Sequence, residues 1–164
     1  MSGKKQNKLS RLDRTDAQPA AYQNDFMATV NYIRKYGGEY HGIPNAAEIA
    51  ALNAIAADCM RAYQHNEQDR ELVGWVLFGE IHAEEPVAGS DNNGDVDGIC
   101  YIGTDGRAAI GISRKVLNMP IYAAVAVGLH ELAHLCSDNH DDRFVSRLMQ
   151  LQYNYYLQEG EKKK

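Results

Sequence analysis

Apolar side chains recur every three or four positions along several segments of the chain, the spacing that places them on one face of a helix. The pattern predicts a first helix over residues 19–36, stopped by the glycines at 37–38, and a second over residues 44–65. A third helix is expected to begin within residues 118–120, and a fourth to cover residues 140–158. The sequence therefore predicts four helices.

Three shorter segments are apolar and rich in β-branched or aromatic residues, which is typical of buried strands. They cover residues 72–78, 99–102 and 108–112, and the Thr-Asp-Gly turn at residues 104–106 is expected to join the last two as a hairpin. Strands and helices in this order predict an α+β fold, with a small, mostly antiparallel sheet and the helices packed against it.

The two ends of the chain differ in composition from its middle. Residues 1–18 are polar, basic and without periodicity, which predicts a disordered arm, and the Lys-rich residues 159–164 are expected to form a flexible tail. The stretch between them, residues 19–158, has the length of one domain. A net charge of -5 argues against a dedicated nucleic-acid binder, so contact with nucleic acid is expected only through the basic ends.

The cysteines and the apolar runs bear on where the protein resides. Cys59, Cys100 and Cys136 form no CxxC pair and lie in apolar surroundings, which is typical of reduced thiols. The longest apolar run, residues 121–129, is too short to span a bilayer, and residues 1–20 carry no secretion signal. We expect a cytoplasmic protein that makes no membrane contact and is a monomer.

One stretch carries groups suited to chemistry. His130 and His134 are four residues apart, so on a helix both imidazoles lie on the same face and can hold one metal ion. Glu131 lies one position round the helix, where its carboxylate can take a proton from water that the metal activates. The pair of histidines and the glutamate together predict a hydrolytic Zn2+ site.

His140 is the predicted third ligand, because a catalytic zinc takes three protein ligands and keeps one position open. In a continuous helix it would lie about 9 Å beyond His134, far outside a zinc–nitrogen bond of about 2.1 Å, so the chain must turn back. The Ser-Asp-Asn segment at residues 137–139 is typical of a helix stop. Asp141 then begins the next helix, where its carboxylate can orient a ligand histidine.

The whole pattern, HExxHxxxxxHDxxF from His130 to Phe144, resembles that of the zincin metallopeptidases and is closest to the small intracellular WLM and SprT-like group. The metzincins share the histidine spacing but carry Gly where this chain has Ser137. The resemblance implies a zincin-like fold with the HExxH motif on the active-site helix. It also implies peptide-bond hydrolysis, with the three histidines holding zinc and Glu131 as the catalytic base.

The substrate is expected to be a protein or peptide. In zincins the strand before the active-site helix has a free edge, so the resemblance predicts that Ala109, Ile110 and Gly111 bind an extended substrate through backbone hydrogen bonds. Tyr153 or Tyr156 is a candidate for stabilising the oxyanion that forms during hydrolysis.

Two other functions fit the same motif. A binding module can keep the zincin fold without catalysis, with zinc as a structural staple held by four ligands. The resemblance to the SprT-like and WLM group also suggests a protease that acts on DNA-associated proteins, although the acidic composition disfavours this alternative.

Overall fold

A computed structural model describes residues 21–79, 81–82 and 95–162 of the chain. These residues form four α-helices, five strands and one 3-10 helix. The helices are α1 (Phe26–Lys35), α2 (Ala46–Ala62), α3 (Ile121–Ala133) and α4 (Asp142–Lys162). The strands are β1 (Leu72–Phe78), β2 (Ile81–His82), β3 (Asp95–Val96), β4 (Gly98–Ile102) and β5 (Ala108–Ser113). The 3-10 helix, Arg114–Asn118, joins β5 to α3. The predicted arm, residues 1–18, lies outside the described residues.

The main sheet has three strands in the order β1-β5-β4, so β5 is the central strand. β4 and β5 form the predicted antiparallel hairpin, whereas β1 pairs with β5 in parallel. The α+β class is confirmed, but the expectation of a mostly antiparallel sheet is wrong, because the sheet is mixed. No short turn links β1 to either of the other strands, so turn residues could not reveal its direction. β2 and β3 pair separately as a small antiparallel ladder.

Helices cover both faces of the main sheet. On the α1 side, a Cβ added at Gly74 of β1 would lie 2.1 Å from the Thr29 hydroxyl oxygen. On the α3 side, a Cβ at Gly128 would lie 2.4 Å from Cys59 Sγ of α2 and 3.2 Å from the Trp75 ring of β1. Glycine is thus required where α2, α3 and the sheet meet, and this close packing fixes the position of α3.

Side chains close the outer edge of β1. The Asn24 amide accepts a hydrogen bond from the Trp75 N–H at 2.8 Å and donates one to the Trp75 carbonyl at 2.9 Å, as a neighbouring strand would. The Tyr40 hydroxyl donates to the carbonyl of Leu77. Within the described ranges, the open edge of the main sheet therefore belongs to β4.

The first two helices begin later than the apolar pattern predicts. α1 begins at Phe26, not at residue 19, because the Asp25 carboxylate caps its first turn. α2 begins after Asn45, which forms a capping box with Glu48. In both helices a side-chain cap sets the first residue.

The last helix ends later than predicted. α4 continues to Lys162, so residues 159–162, expected as part of a flexible tail, are helical. Ile121, the first residue of α3, is half exposed. None of the helices in the described part of the chain is both long enough and apolar enough to span a membrane.

Candidate metal centre

α3 carries the first two histidines of the motif. His130 lies in its last turn, and His134 is its C-cap residue. The buried side chains that anchor the helix include Ala124, Val125, Leu129 and Leu132. Because packing fixes the buried side of the helix, the two histidines are held, half-buried, at its C-terminal end.

The chain reverses direction directly after His134. The helix ends at Ala133, before the predicted stop at residues 137–139, and a series of tight turns follows. The Arg70 N–H donates to the Leu135 carbonyl at 2.8 Å, which fixes the first of these turns to the segment before β1. The reversal itself was predicted correctly, and it returns His140 to the end of α3.

Ser137 and Asp141 hold the returning loop together. The buried Ser137 hydroxyl donates to Asp141 Oδ2 at 2.8 Å and accepts from the Asn139 N–H at 3.3 Å. The other carboxylate oxygen of Asp141 accepts from the Phe144 N–H at 3.0 Å, which caps the first turn of α4. The Asp141 carboxylate therefore contacts the loop and the helix, and bears on the histidines through Ser137.

The three histidines converge at their Nε2 atoms. His140 Nε2 lies 3.2 Å from His134 Nε2 and 3.3 Å from His130 Nε2. Nitrogen atoms that bind a tetrahedral zinc at about 2.1 Å lie about 3.4 Å from one another. The two measured distances are close to this value, and the three-histidine group can hold a metal ion.

Two of the histidines, His130 and His134, are held in the neutral form that binds a metal. His134 Nδ1 lies 2.9 Å from the Ser137 carbonyl, and since a carbonyl only accepts, Nδ1 carries the proton and Nε2 keeps its lone pair. Burial, followed by the nearby His134 and His140, lowers the pKa of His130 to about 4. Burial also lowers the pKa of His134, against the opposing effect of its bond to the carbonyl.

Glu131 lies beside the histidines but outside the group that can hold a metal. Only 8% of its surface is exposed, and this burial raises the pKa of its carboxyl from an ordinary 4.5 to about 7. A Cβ at Gly98, the first residue of β4, would lie 2.9 Å from its Cγ and 3.2 Å from Oε2. Because Gly98 has no side chain, the Glu131 carboxyl fits between α3 and β4.

The Phe144 ring contacts all three imidazoles. Its ring centroid lies 4.9 Å from that of His130, 4.4 Å from that of His134 and 4.8 Å from that of His140. The Phe144 side chain is buried, and its backbone N–H donates to the Asp141 carboxylate that caps α4. The aromatic ring therefore ties the orientation of the ligands to the start of α4.

A buried ion pair anchors α4 to the segment that precedes β1. Arg147, one turn beyond Phe144 on α4, pairs with Asp69 at 2.8 Å and donates to the Gln64 carbonyl at 2.5 Å. Asp69 also accepts a hydrogen bond from the Tyr63 hydroxyl at 2.8 Å. The segment from residue 63 to residue 70 thus holds α4 through Arg147 and the end of α3 through the Leu135 carbonyl. We call this segment the clamp.

The predicted substrate strand does not have the predicted free edge. Ala109, Ile110 and Gly111 lie in the central strand β5, bonded to β1 on one side and to β4 on the other. Their side-chain positions are buried as well. The expectation of a free edge at these residues is wrong, because their backbone groups are already used within the sheet.

The predicted oxyanion residues are also too far from the site. Tyr153 and Tyr156 lie on α4 about 14 Å and 18 Å beyond Phe144 along the helix axis, well past the reach of a tyrosine side chain. Cys136 lies two residues after His134, but its thiol contacts the carbonyls of Ala133 and Arg143 and does not join the histidine group.

Sequence reasoning missed residues whose roles depend on distant contacts. No motif marked Asp69, no pattern pointed to a contact between Gly98 and Glu131, and Phe144 was noted only as the end of the motif. Comparisons of the chain with known protein families, curated proteins and solved structures found no match.

Proposed function

We propose that this chain is a cytoplasmic, zinc-dependent metallopeptidase of the zincin type, acting on protein or peptide substrates. The observation that carries the proposal is the convergence of three imidazole Nε2 atoms, together with the buried carboxyl group of Glu131, the residue next to His130, which is not part of the group that can hold a metal. A hydrolase needs both parts, a ligand set that leaves a coordination position open and a base within reach of it.

His130, His134 and His140 would hold the zinc, which when bound supplies polarisation of the scissile carbonyl and acidification of water. Glu131 takes a proton from the attacking water and delivers it to the leaving amine. A carboxyl with a pKa near 7 can both accept and release a proton at neutral pH, and its burial limits competing exchange with solvent. Ser137 holds His134 in the tautomer that presents Nε2.

The hydrogen-bonding pattern of the hairpin indicates where a substrate backbone can bind. At one end of the β4–β5 pair the Ser113 N–H donates to the Asp97 carbonyl at 2.8 Å, and at the other the Gly103 N–H donates to the Arg107 carbonyl at 2.9 Å. Because bonded pairs alternate along an antiparallel ladder, the odd-numbered residues of β4 bond to β5.

The even-numbered residues of β4, namely Gly98, Cys100 and Ile102, therefore direct their backbone N–H and C=O groups to the open edge. Gly98 is also the residue that lies against Glu131. An extended peptide that pairs with this edge would pass beside the metal centre, so we place the substrate along β4 and not along β5.

The structural-zinc alternative receives less support. It requires a fourth ligand, and within the described ranges the group that can hold a metal consists of three histidines. The alternative of a protease on DNA-associated proteins depends on the basic ends of the chain. Residues 1–18 and 163–164 lie outside the described part of the chain, so the structure provides no support for this alternative.

The proposal is tested by comparing the parent with Glu131→Gln. Both proteins are expected to bind one zinc per chain, measured by elemental analysis, because Glu131 is not a ligand. Hydrolysis of an unfolded protein substrate should fall by at least about a hundredfold in the variant, because the general base is lost. His130→Ala combined with His140→Ala should lose the zinc.

The possible outcomes test zinc binding and catalysis separately. If Glu131→Gln cleaves at the parent rate, Glu131 is not the catalytic base. A parent protein that binds zinc stoichiometrically but hydrolyses no peptide bond in any substrate would favour the binding module. Full zinc retention by the double histidine variant would overturn the metal site itself.

A further inference from the structure

One side of α4 is apolar and faces solvent. Its most exposed members are Met149 at 63%, Tyr153 at 62% and Tyr156 at 79% exposure, and Val145 and Leu157 are about half exposed. Val145, Met149, Tyr153 and Tyr156 recur every three or four residues, so they lie along one face of the helix. We call these five side chains the α4 stripe.

The α4 stripe carries no compensating charge. Between Phe144 and Gln158 the only residue with a charged side chain is Arg147, which is buried in its pair with Asp69. A solvent-facing helix usually mixes apolar and charged residues, whereas surfaces that bind proteins are enriched in Tyr and Met and depleted of charge. The composition of the α4 stripe is that of an interface.

The remaining parts of this chain are too polar to cover the α4 stripe. Residues 1–20 contain three large apolar side chains, Met1, Leu9 and Leu12, and residues 83–94 contain one, Val87. Neither segment has enough large apolar residues to match the stripe, so we consider a second chain as the occupant.

The stripe is shaped to pack against a copy of itself. Its first half, Val145 and Met149, is small or flexible, and its second half, Tyr153 and Tyr156, is bulky and aromatic. Antiparallel pairing of two α4 helices sets each tyrosine half against the other copy's Val-Met half, with favourable contacts between the thioether and the aromatic rings. Parallel pairing would instead crowd tyrosine against tyrosine.

The available area is enough for a modest dimer. The five side chains expose roughly 600 Å², so pairing two copies would bury on the order of 1,200 Å² in total, the lower end of the range for stable interfaces. We propose that the chain forms a homodimer in which the α4 stripes of two copies pack antiparallel. The sequence alone predicted a monomer, and the surface of α4 argues for the dimer instead. This proposal does not depend on the proposed enzymatic function.

Sedimentation velocity of the full chain tests the proposal. The apparent mass should rise from 18.3 kDa toward twice that value as the protein concentration rises from about 1 to 200 µM, the range over which a modest interface is tested. Met149→Lys should keep the protein monomeric over the same range, because it places a charge in the middle of the stripe. Met27→Lys, a matched change at an exposed position of α1, should dimerise like the parent.

A charge pair distinguishes antiparallel packing from other contacts. Antiparallel packing brings Met149 of one copy near Tyr153 of the other, so Tyr153→Glu alone should be monomeric and the double variant Met149→Lys/Tyr153→Glu should regain at least part of the dimer. Parent protein that is monomeric at every concentration would overturn the proposal and leave the stripe for a different protein partner. Single variants that dimerise normally, or a double variant that stays monomeric, would overturn it as well.

Discussion

Within the metal centre, burial acts on single residues according to the charge that each would carry. It lowers the pKa of His130 to about 4 and raises the pKa of Glu131 to about 7, because in both cases the charged form is the one that loses hydration. The consequence for His130 is a neutral imidazole at physiological pH, which is the form that binds a metal. For Glu131 it is a carboxyl that exchanges a proton near neutrality.

The buried carboxyl predicts a pH-dependent effect of Glu131→Gln on the metal-free protein. A pKa that folding raises from 4.5 to about 7 contributes stability that is fully present below pH 4.5 and is lost as the pH rises through 7. Glutamine carries no such penalty, so the variant should gain stability over the parent at pH 8 but little at pH 5. The gain is bounded by roughly 3 kcal/mol, or several degrees in Tm.

Thermal melts of both metal-free proteins at the two pH values measure this difference. The titration of His130, which weakens the folded state as the pH falls toward 4, is common to both proteins and cancels in the comparison. A difference in Tm that is the same at pH 5 and pH 8 would show that the Glu131 carboxyl is hydrated in the folded protein.

The meeting of the three histidines could be predicted from sequence because its geometry is local. Four-residue spacing on a helix aligns His130 with His134, and the impossible reach of His140 along a continuous helix requires the reversal that the loop makes. The environment of Glu131 could not be predicted, because its burial depends on Gly98 from another element. The spacing of the histidines along the sequence therefore predicts that they meet, whereas the pKa of Glu131 depends on packing between distant segments.

Among the secondary-structure elements, the same division between local and distant contacts separates the correct predictions from the wrong ones. The β4–β5 hairpin was predicted from its turn, and β1 from its apolar residues. The order of the strands was not predicted. β1 pairs with the edge of β5 that faces away from β4, so β5, which was expected to be an edge strand, is the central one. The assignment of the open edge, and with it the substrate-binding strand, changed for that reason.

The open edge of β4 predicts that Cys100→Pro impairs hydrolysis without unfolding the protein. The backbone N–H of Cys100 points to the edge and not to β5, so proline removes a donor to substrate while the ladder stays intact. Cys100→Ala is the matched control, because it removes the thiol beside α3 and keeps the N–H. We expect normal zinc content in both variants and a loss of about tenfold or more in kcat/KM for the proline variant alone.

The neighbouring position checks the register of the strand. Tyr101→Pro should destabilise the fold strongly, because its N–H belongs to the ladder with β5. If Cys100→Pro cleaves as well as Cys100→Ala, substrate does not pair with β4.

Over the whole molecule, the clamp connects parts of the chain that are distant in sequence. Asp69 and Arg147 are 78 residues apart, so no local pattern could have predicted their pairing. Through them, and through the bond from Arg70 to Leu135, one segment holds the end of α3, which carries His130 and His134, and also α4, which begins two residues after His140. The position of His140 relative to His130 and His134 therefore depends on contacts outside the motif.

This arrangement predicts that Arg147→Met weakens metal binding more than its loss of stability explains. The change leaves the Asp69 carboxylate buried without its cation, which costs about 3–5 kcal/mol, and it releases α4 from the clamp. Leu52→Ala is the matched control, since it opens a cavity in α2 of similar cost, about 2–5 kcal/mol, without touching the clamp. With both variants at a temperature where they remain folded, chelator competition should show a loss of zinc affinity of about tenfold or more for Arg147→Met. Leu52→Ala should stay within about threefold of the parent. Equal losses in the two variants would mean that Arg147 supports the fold as a whole and has no separate influence on the metal centre.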